Sequence, residues 1–326
     1  MNWLKECNDW TWTKLLLTSA QSNNPVSEKV DKIQSYTANH GSVSGNISKN
    51  IQVINSFLET LFKDHSKIHL AANYALLPEW KRFRCLLALS IFDGLGGKEE
   101  NFIKAISGIE CIHTASLIID DLPCIDNSDL RKWKPSTHTI FNEDIAILTA
   151  HTLKDKWIEL IDENLFDLNL NLSKETIIRI KRFLNHKISE LYIGEELDIK
   201  SNKSDDELFE CMIKKNCLFE IACVLPWMFL NCSDEIIIKL SKVWQKLSFA
   251  YQLLDDLRDV TETVEIAWKP VRADEQKQTF VYRYWEDWGK LKLKEIIEEI
   301  SQILNEIWLS NVFGSLIGNL ILKTLV

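Results

Sequence analysis

The stretch IECIHTASLIIDDLPCIDNSDLRKWKPSTH, residues 109–138, decides how this chain is read. Its first half places apolar residues at three- and four-residue intervals, the spacing of an α-helix. The apolar run stops on Asp120 and Asp121, and Asp126 follows six residues after Asp120. A second stretch, FAYQLLDDLRDV (249–260), has the same design, an apolar helix closing on Asp255, Asp256 and Asp259. Asp255 and Asp259 are four apart and share a helix face. The segments these motifs close, 98–121 and 234–261, are apolar on most faces and are expected in the middle of a helical bundle.

The helical period continues outward through nearly the whole chain, and strand-type alternation is hard to find, so the expected class is all-α. Breaks at 22–27, 39–46, 77–80, 93–100, 122–136, 168–175, 201–206, 231–235 and 267–278 leave about ten helices. Ser173 and Ser233 stand where helix N-caps are expected. No linker divides the 326 residues, which read as one large domain, 47–326, preceded by a segment, 1–46, that carries Trp3, Trp10 and Trp12.

Composition bounds the function. Hydrophobic residues make up 46% and charged residues 26%, enough for a large core. A net charge of -9 argues against nucleic-acid binding, which needs clustered cations. The eight cysteines are scattered with no zinc-type spacing and read as reduced core residues. The first residues lack a basic start with an apolar run, and no stretch reaches the roughly 18 apolar residues of a membrane span. A soluble, reducing, cytoplasmic setting is the expectation.

Carboxylates grouped at a helix C-terminus repel one another and oppose the helix dipole, a cost that a bound cation offsets. Hard oxygen ligands suit Mg²⁺, which shares its shell with water and substrate phosphates. The plainer alternative, acids simply solvated at helix ends, explains one pair better than two triplets that each terminate an interior helix. Basic groups stand near both motifs: Lys81, Arg82 and Arg84; Arg131, Lys132 and Lys134; Lys214 and Lys215; Lys269, Arg272 and Lys277. Each cluster alone reads equally as a solvated face. His113, two turns before Asp120, is either a core histidine or a hydrogen-bond donor to a phosphate.

At these residues the sequence resembles the trans-prenyl diphosphate synthases, closest to geranylgeranyl diphosphate synthases of the bacterial and plant type. The resemblance runs from about Lys67 to Val281 and is most specific at 116–138 and 249–260; KIHLAANYALLPEWKRFRCLLALS (67–90) and FNEDIAILTAHTL (141–153) also resemble family segments. It implies a single helical bundle of the isoprenoid synthase type with a central cavity, and commonly a homodimer. It implies Mg²⁺, three ions in all, held by Asp120, Asp121, Asp126, Asp255, Asp256 and Asp259. It places an allylic diphosphate against those ions with Lys214, Lys269, Lys277 and Arg131, and isopentenyl diphosphate against Lys81, Arg84, His113 and Lys132. Gln252 falls near the metal and allylic site, and the catalytic set is Asp120, Asp121, Asp255, Asp256 and Lys214. Ala115 and Ser116, small residues one turn before the first aspartates, imply a product of about C20.

The chain departs from the family pattern at several places. Glu79, Trp80, Trp133 and Trp268 stand at glycine positions, Cys85 replaces a proline, Lys215 a threonine, His151 an aspartate, and Glu195 a glutamine. A terpene cyclase on the same fold, or a non-catalytic partner subunit of a synthase, are the alternatives these departures leave open. Retained Lys81, Arg84 and His113 speak against the cyclase, and two complete aspartate triplets against the partner subunit.

Overall fold

Helix α4 (Ile103–Asp120) buries eleven of its eighteen residues and ends where its apolar run ends. Around it, the computed structural model describes residues 43–77, 82–94, 97–131, 134–167, 170–200, 202–261 and 279–306. Before α4 come α1 (Val43–Leu58), α2 (Lys67–Leu76) and α3 (Phe83–Gly94); after it come the short α5 (Thr137–Phe141) and the long α6 (Glu143–Leu165). Then follow α7 (Lys174–Ile199), α8 (Asp205–Lys215), α9 (Cys217–Phe229), α10 (Asp234–Thr261) and α11 (Phe280–Glu306). The all-α expectation holds, with one addition: Leu130–Arg131 (β1) and Lys134–Pro135 (β2) pair antiparallel within the 122–136 break.

Helix α9 organises the bundle. All thirteen of its residues are buried, and it packs against α3, α4, α7 and α10. The two aspartate-ending helices, α4 and α10, do not lie side by side; α9 stands between them as their common neighbour. The pairs α4 with α6, α10 with α11, and α7 with α8 complete the layers.

Local chemistry fixes the element ends. Ser173 accepts a hydrogen bond from the Thr176 amide, and Ser204 forms a capping box with Glu207. Ser233 precedes α10 as expected, yet its hydroxyl is buried without a hydrogen bond among the described residues, so the cap is not made by that side chain. Helix α1 begins at Val43, inside the break expected at 39–46. Ser44 and Gly45 enter its first turn, where the amides lack intrahelical partners in any case. Five cysteines, Cys85, Cys111, Cys211, Cys217 and Cys223, are buried thiols in the core, while Cys124 is exposed. Among the described residues, no helix is long and apolar enough to cross a membrane.

Candidate active site

The C-terminal turn of α4 delivers Asp120 and Asp121 to the edge of the β1–β2 hairpin. Asp121 is 3% exposed and accepts two hydrogen bonds from Arg131 Nε, 2.9 and 3.2 Å away, and another from Arg131 Nη2. Burial pushes its carboxyl up, opposed by Arg131 and Ser136. Arg131 therefore ties Asp121 to the β1–β2 hairpin, with its own side chain still 32% exposed. Asp120 differs. Burial pushes its carboxyl up to about 7, with Glu195 and Asp126 acting the same way against Lys215 and Arg131.

Arg84 and His113 meet, as the two-turn offset of His113 from Asp120 allows: Arg84 Nη1 lies 3.1 Å from His113 Nε2. The Arg84 guanidinium stacks 4.2 Å over Phe219 of α9, and its Nε is a buried donor with no acceptor among the described residues. Burial pulls its pKa down, and no carboxylate among those residues forms an ion pair with it. A half-buried guanidinium with no anion paired to it among the described residues is suited to receive one.

The second aspartate motif connects to the same region. Gln252 Nε2 donates to Asp256 Oδ1 at 3.0 Å, and Asn216 Nδ2 reaches Gln252 Oε1 at 3.5 Å. Asn216 is the corner residue between α8 and α9, next to Lys215, whose charge is felt at Asp120. Tyr251, adjacent to Gln252, packs on Phe219 with ring centroids 5.1 Å apart. Thus contacts at Phe219, Asn216 and Lys215 tie Arg84, His113, Asp120, Gln252 and Asp256 to one end of the bundle.

The other basic and small residues singled out in the sequence take these places. Arg82 is a structural residue: its guanidinium bonds Asn55 Oδ1 at 2.9 Å, Glu110 Oε1 at 2.8 Å and the Leu76 carbonyl at 2.8 Å, at a left-handed φ of 46°. Lys134 donates to the Tyr74 carbonyl at 2.8 Å and lies over its ring. Lys214 is paired to Glu210, one turn back on α8, at 2.5 Å. Ala115 is buried on α4, and the Ser116 hydroxyl donates to the His113 carbonyl at 2.9 Å. Lys81, Lys132, Lys269, Arg272, Lys277, Trp80, Trp133, Trp268 and the side chains of Asp255 and Asp259 lie outside the described residues. A cavity of about 800 Å³ opens beside Lys98, Asn101 and Asn231, at the opposite end of α4 from Asp120, and is distinct from the expected central cavity.

The sequence reading missed one set. Lys215 Nζ pairs with Glu195 Oε2 at 2.9 Å and Asp198 Oδ2 at 2.7 Å, joining the ends of α7 and α8 beside Asp120. The signal was present in two departures from the family pattern, Glu195 and Lys215, which are partners of each other.

The donor type fits a hard divalent cation: Asp120, Asp121, Asp126 and Asp256 offer carboxylate oxygen only. Among the described residues no three acids or imidazoles gather into a ready-made cage. Mg²⁺ commonly takes one or two carboxylates and completes its shell with water and phosphate.

Among solved structures, the geranyltransferase of Helicobacter pylori, crystallised with magnesium and isoprenyl diphosphate, matches with a TM-score of 0.74 at 25% identity, covering 86% of this chain and 99% of that one. An isoprenoid synthase family member from Thermotoga neapolitana matches at 0.70 with 25% identity, covering 83% of this chain and 98% of that one. The fold is that of the all-α isoprenoid synthases. Among curated proteins, the mitochondrial geranylgeranyl pyrophosphate synthase 6 of Arabidopsis thaliana is 29% identical over 273 residues, 80% of either chain. The chloroplastic geranylgeranyl pyrophosphate synthase of Catharanthus roseus is 32% identical over 230 residues, covering 68% of this chain and 63% of that protein. The Arabidopsis heterodimeric geranylgeranyl pyrophosphate synthase large subunit 2 is 34% identical, and the match covers 58% of its length. The chain belongs to the polyprenyl synthetase family, the trans-isoprenyl diphosphate synthases, whose profile matches residues 65–303.

Proposed function

We propose that this chain is a prenyltransferase that condenses an allylic diphosphate with isopentenyl diphosphate, giving a product of about C20. The observation that carries the reading is the Arg84–His113 pair. A half-buried guanidinium with no ion-paired carboxylate among the described residues, in contact with the one histidine of α4, fits the diphosphate of a second substrate, which a cyclase does not need.

Asp120, Asp121 and Asp126 from one motif, with Asp255, Asp256 and Asp259 from the other, would hold magnesium. When bound it would supply Lewis-acid stabilisation of the charge on the departing diphosphate. Lys214, Lys269 and Lys277 would add cationic contacts to that diphosphate, and Gln252 orients Asp256 through their hydrogen bond. Arg84, His113, Lys81 and Lys132 would hold isopentenyl diphosphate so that its alkene faces the allylic carbon. The apolar walls of α4 and α9 would exclude water from the cationic intermediate. Arg131 and Asp121 would act together, the arginine keeping the hairpin closed over the end of α4.

A homodimer is part of the same proposal. Ile140, Ile147, Leu148 and Ile158 leave apolar surface exposed on and beside α6, which light scattering would find covered in a particle of twice the 37.9 kDa chain mass.

The test is incubation of the full chain with Mg²⁺ and C5, C10, C15 or C20 allylic diphosphates, with and without isopentenyl diphosphate, followed by mass analysis. Longer diphosphates formed only in the presence of isopentenyl diphosphate support the proposal. A hydrocarbon or alcohol released without it establishes a cyclase instead. No turnover alone, but altered output from an added active synthase, establishes a partner subunit.

A further inference from the structure

We infer that the Lys215 ammonium is a built-in cation of the α4 acidic end, filling between Glu195 and Asp198 a carboxylate site that would otherwise take a divalent ion. It rests on the metal-binding part of the reading above and on nothing about the product.

Three observations carry it. The ammonium touches both carboxylates, at 2.9 and 2.7 Å, with all three side chains largely withdrawn from solvent at 16–23% exposure. Glu195 keeps its second oxygen buried with no hydrogen bond among the described residues, so the set has unused ligand capacity. Asp120, at the end of α4, feels the charge of Lys215 as well. Burial opposes the charge of Lys215, and Asp198, Asp120 and Glu195 more than offset that, which raises its pKa.

The pairing also joins two departures from the family pattern into one event. Glu195 in place of glutamine alone would leave a poorly solvated carboxylate beside Asp198 without a cation. Exchanged together, the two compensate. Gly194 makes the approach possible: a Cβ there would fall 2.5 Å from the Lys215 amide nitrogen and 2.8 Å from the Lys214 carbonyl carbon. A lysine ammonium is a compact point charge on a flexible stem and can occupy the place of an ion in this way.

The test is Mn²⁺ binding to the full chain, measured by calorimetry and electron paramagnetic resonance with no diphosphate present. Lys215→Thr removes one positive charge from the set and should bind Mn²⁺ at least about tenfold more tightly than the natural chain. Glu195→Gln combined with Lys215→Thr restores the original net charge and should return close to the natural isotherm. Soluble Lys215→Thr protein obtained only with Mn²⁺ present also supports the inference. It is overturned if Lys215→Thr binds as the natural chain does, if the double variant binds as tightly as the single one, or if Lys215→Thr is insoluble with and without Mn²⁺. Mn²⁺ binding that follows these expectations in a chain that forms no product would sink the synthase reading alone.

Discussion

Arg84 is the residue whose environment says most. Its guanidinium is half-buried, stacked on Phe219 and in contact with His113, and it has no ion-pair partner among the described residues. Charge-assisted hydrogen bonds contribute about 1.5–3 kcal/mol, so Arg84→Met should raise the KM for isopentenyl diphosphate roughly 10- to 100-fold. The KM for the allylic diphosphate should stay within about twofold, because steady-state kinetics with either substrate varied would then separate the two sites. Ala115, buried on α4 one turn before the aspartates, tests product length at the same scale. Ala115→Phe adds an aromatic ring to the wall along which a growing chain would extend, and mass analysis should show a product shorter by at least one five-carbon unit. An unchanged product would place the limit of chain length elsewhere.

At the scale of elements, the contact between α7 and α8 positions the cations next to the first motif. Gly194 lets the α7 backbone approach Lys214 and Lys215, with no room for one further carbon. Gly194→Ala must push two helices apart because the obstructing atoms include backbone, and overpacking of this kind costs about 1–3 kcal/mol. The expected result is a thermal midpoint lower by a few degrees, with a larger fall in turnover as the α8 lysines move. The helices themselves were readable from periodicity, and Ser173 was recognisable as a cap because its hydroxyl needs only a local partner. Ser233 was not, since the same residue type before α10 makes no hydrogen bond with its hydroxyl among the described residues. Short strands β1 and β2 were also out of reach, because two-residue strands carry no alternation.

For the whole molecule, buried charge rather than surface charge sets the stability differences worth measuring. The Arg82–Glu110 pair links the start of α3 to the middle of α4, with side chains 1% and 4% exposed. Glu110→Ala strands the Arg82 guanidinium in the core and should cost about 3–5 kcal/mol, read as a lower midpoint in urea unfolding. Glu159→Ala removes an exposed partner of Lys156 and should cost under about 1 kcal/mol. Equal effects would mean that the buried pair carries no special weight. Helix α9, buried on every side, transmits such changes because α3, α4, α7 and α10 all lean on it.

The sequence by itself determined the all-α class, the two interior helices ending in aspartates and the family, because helical period and motif spacing are local properties written into consecutive residues. It also supplied Arg84 and His113 as partners in expectation, through the resemblance. Only the tertiary structure decided which cations remain open to an anion. Arg82, Lys134 and Lys215 have the same charge as Arg84 in the sequence, yet folding gives Arg82 and Lys215 a carboxylate and Lys134 a carbonyl oxygen and a ring face, drawn from helices or loops remote in the chain. Charge compensation depends on distance in space, which spacing along the chain does not encode.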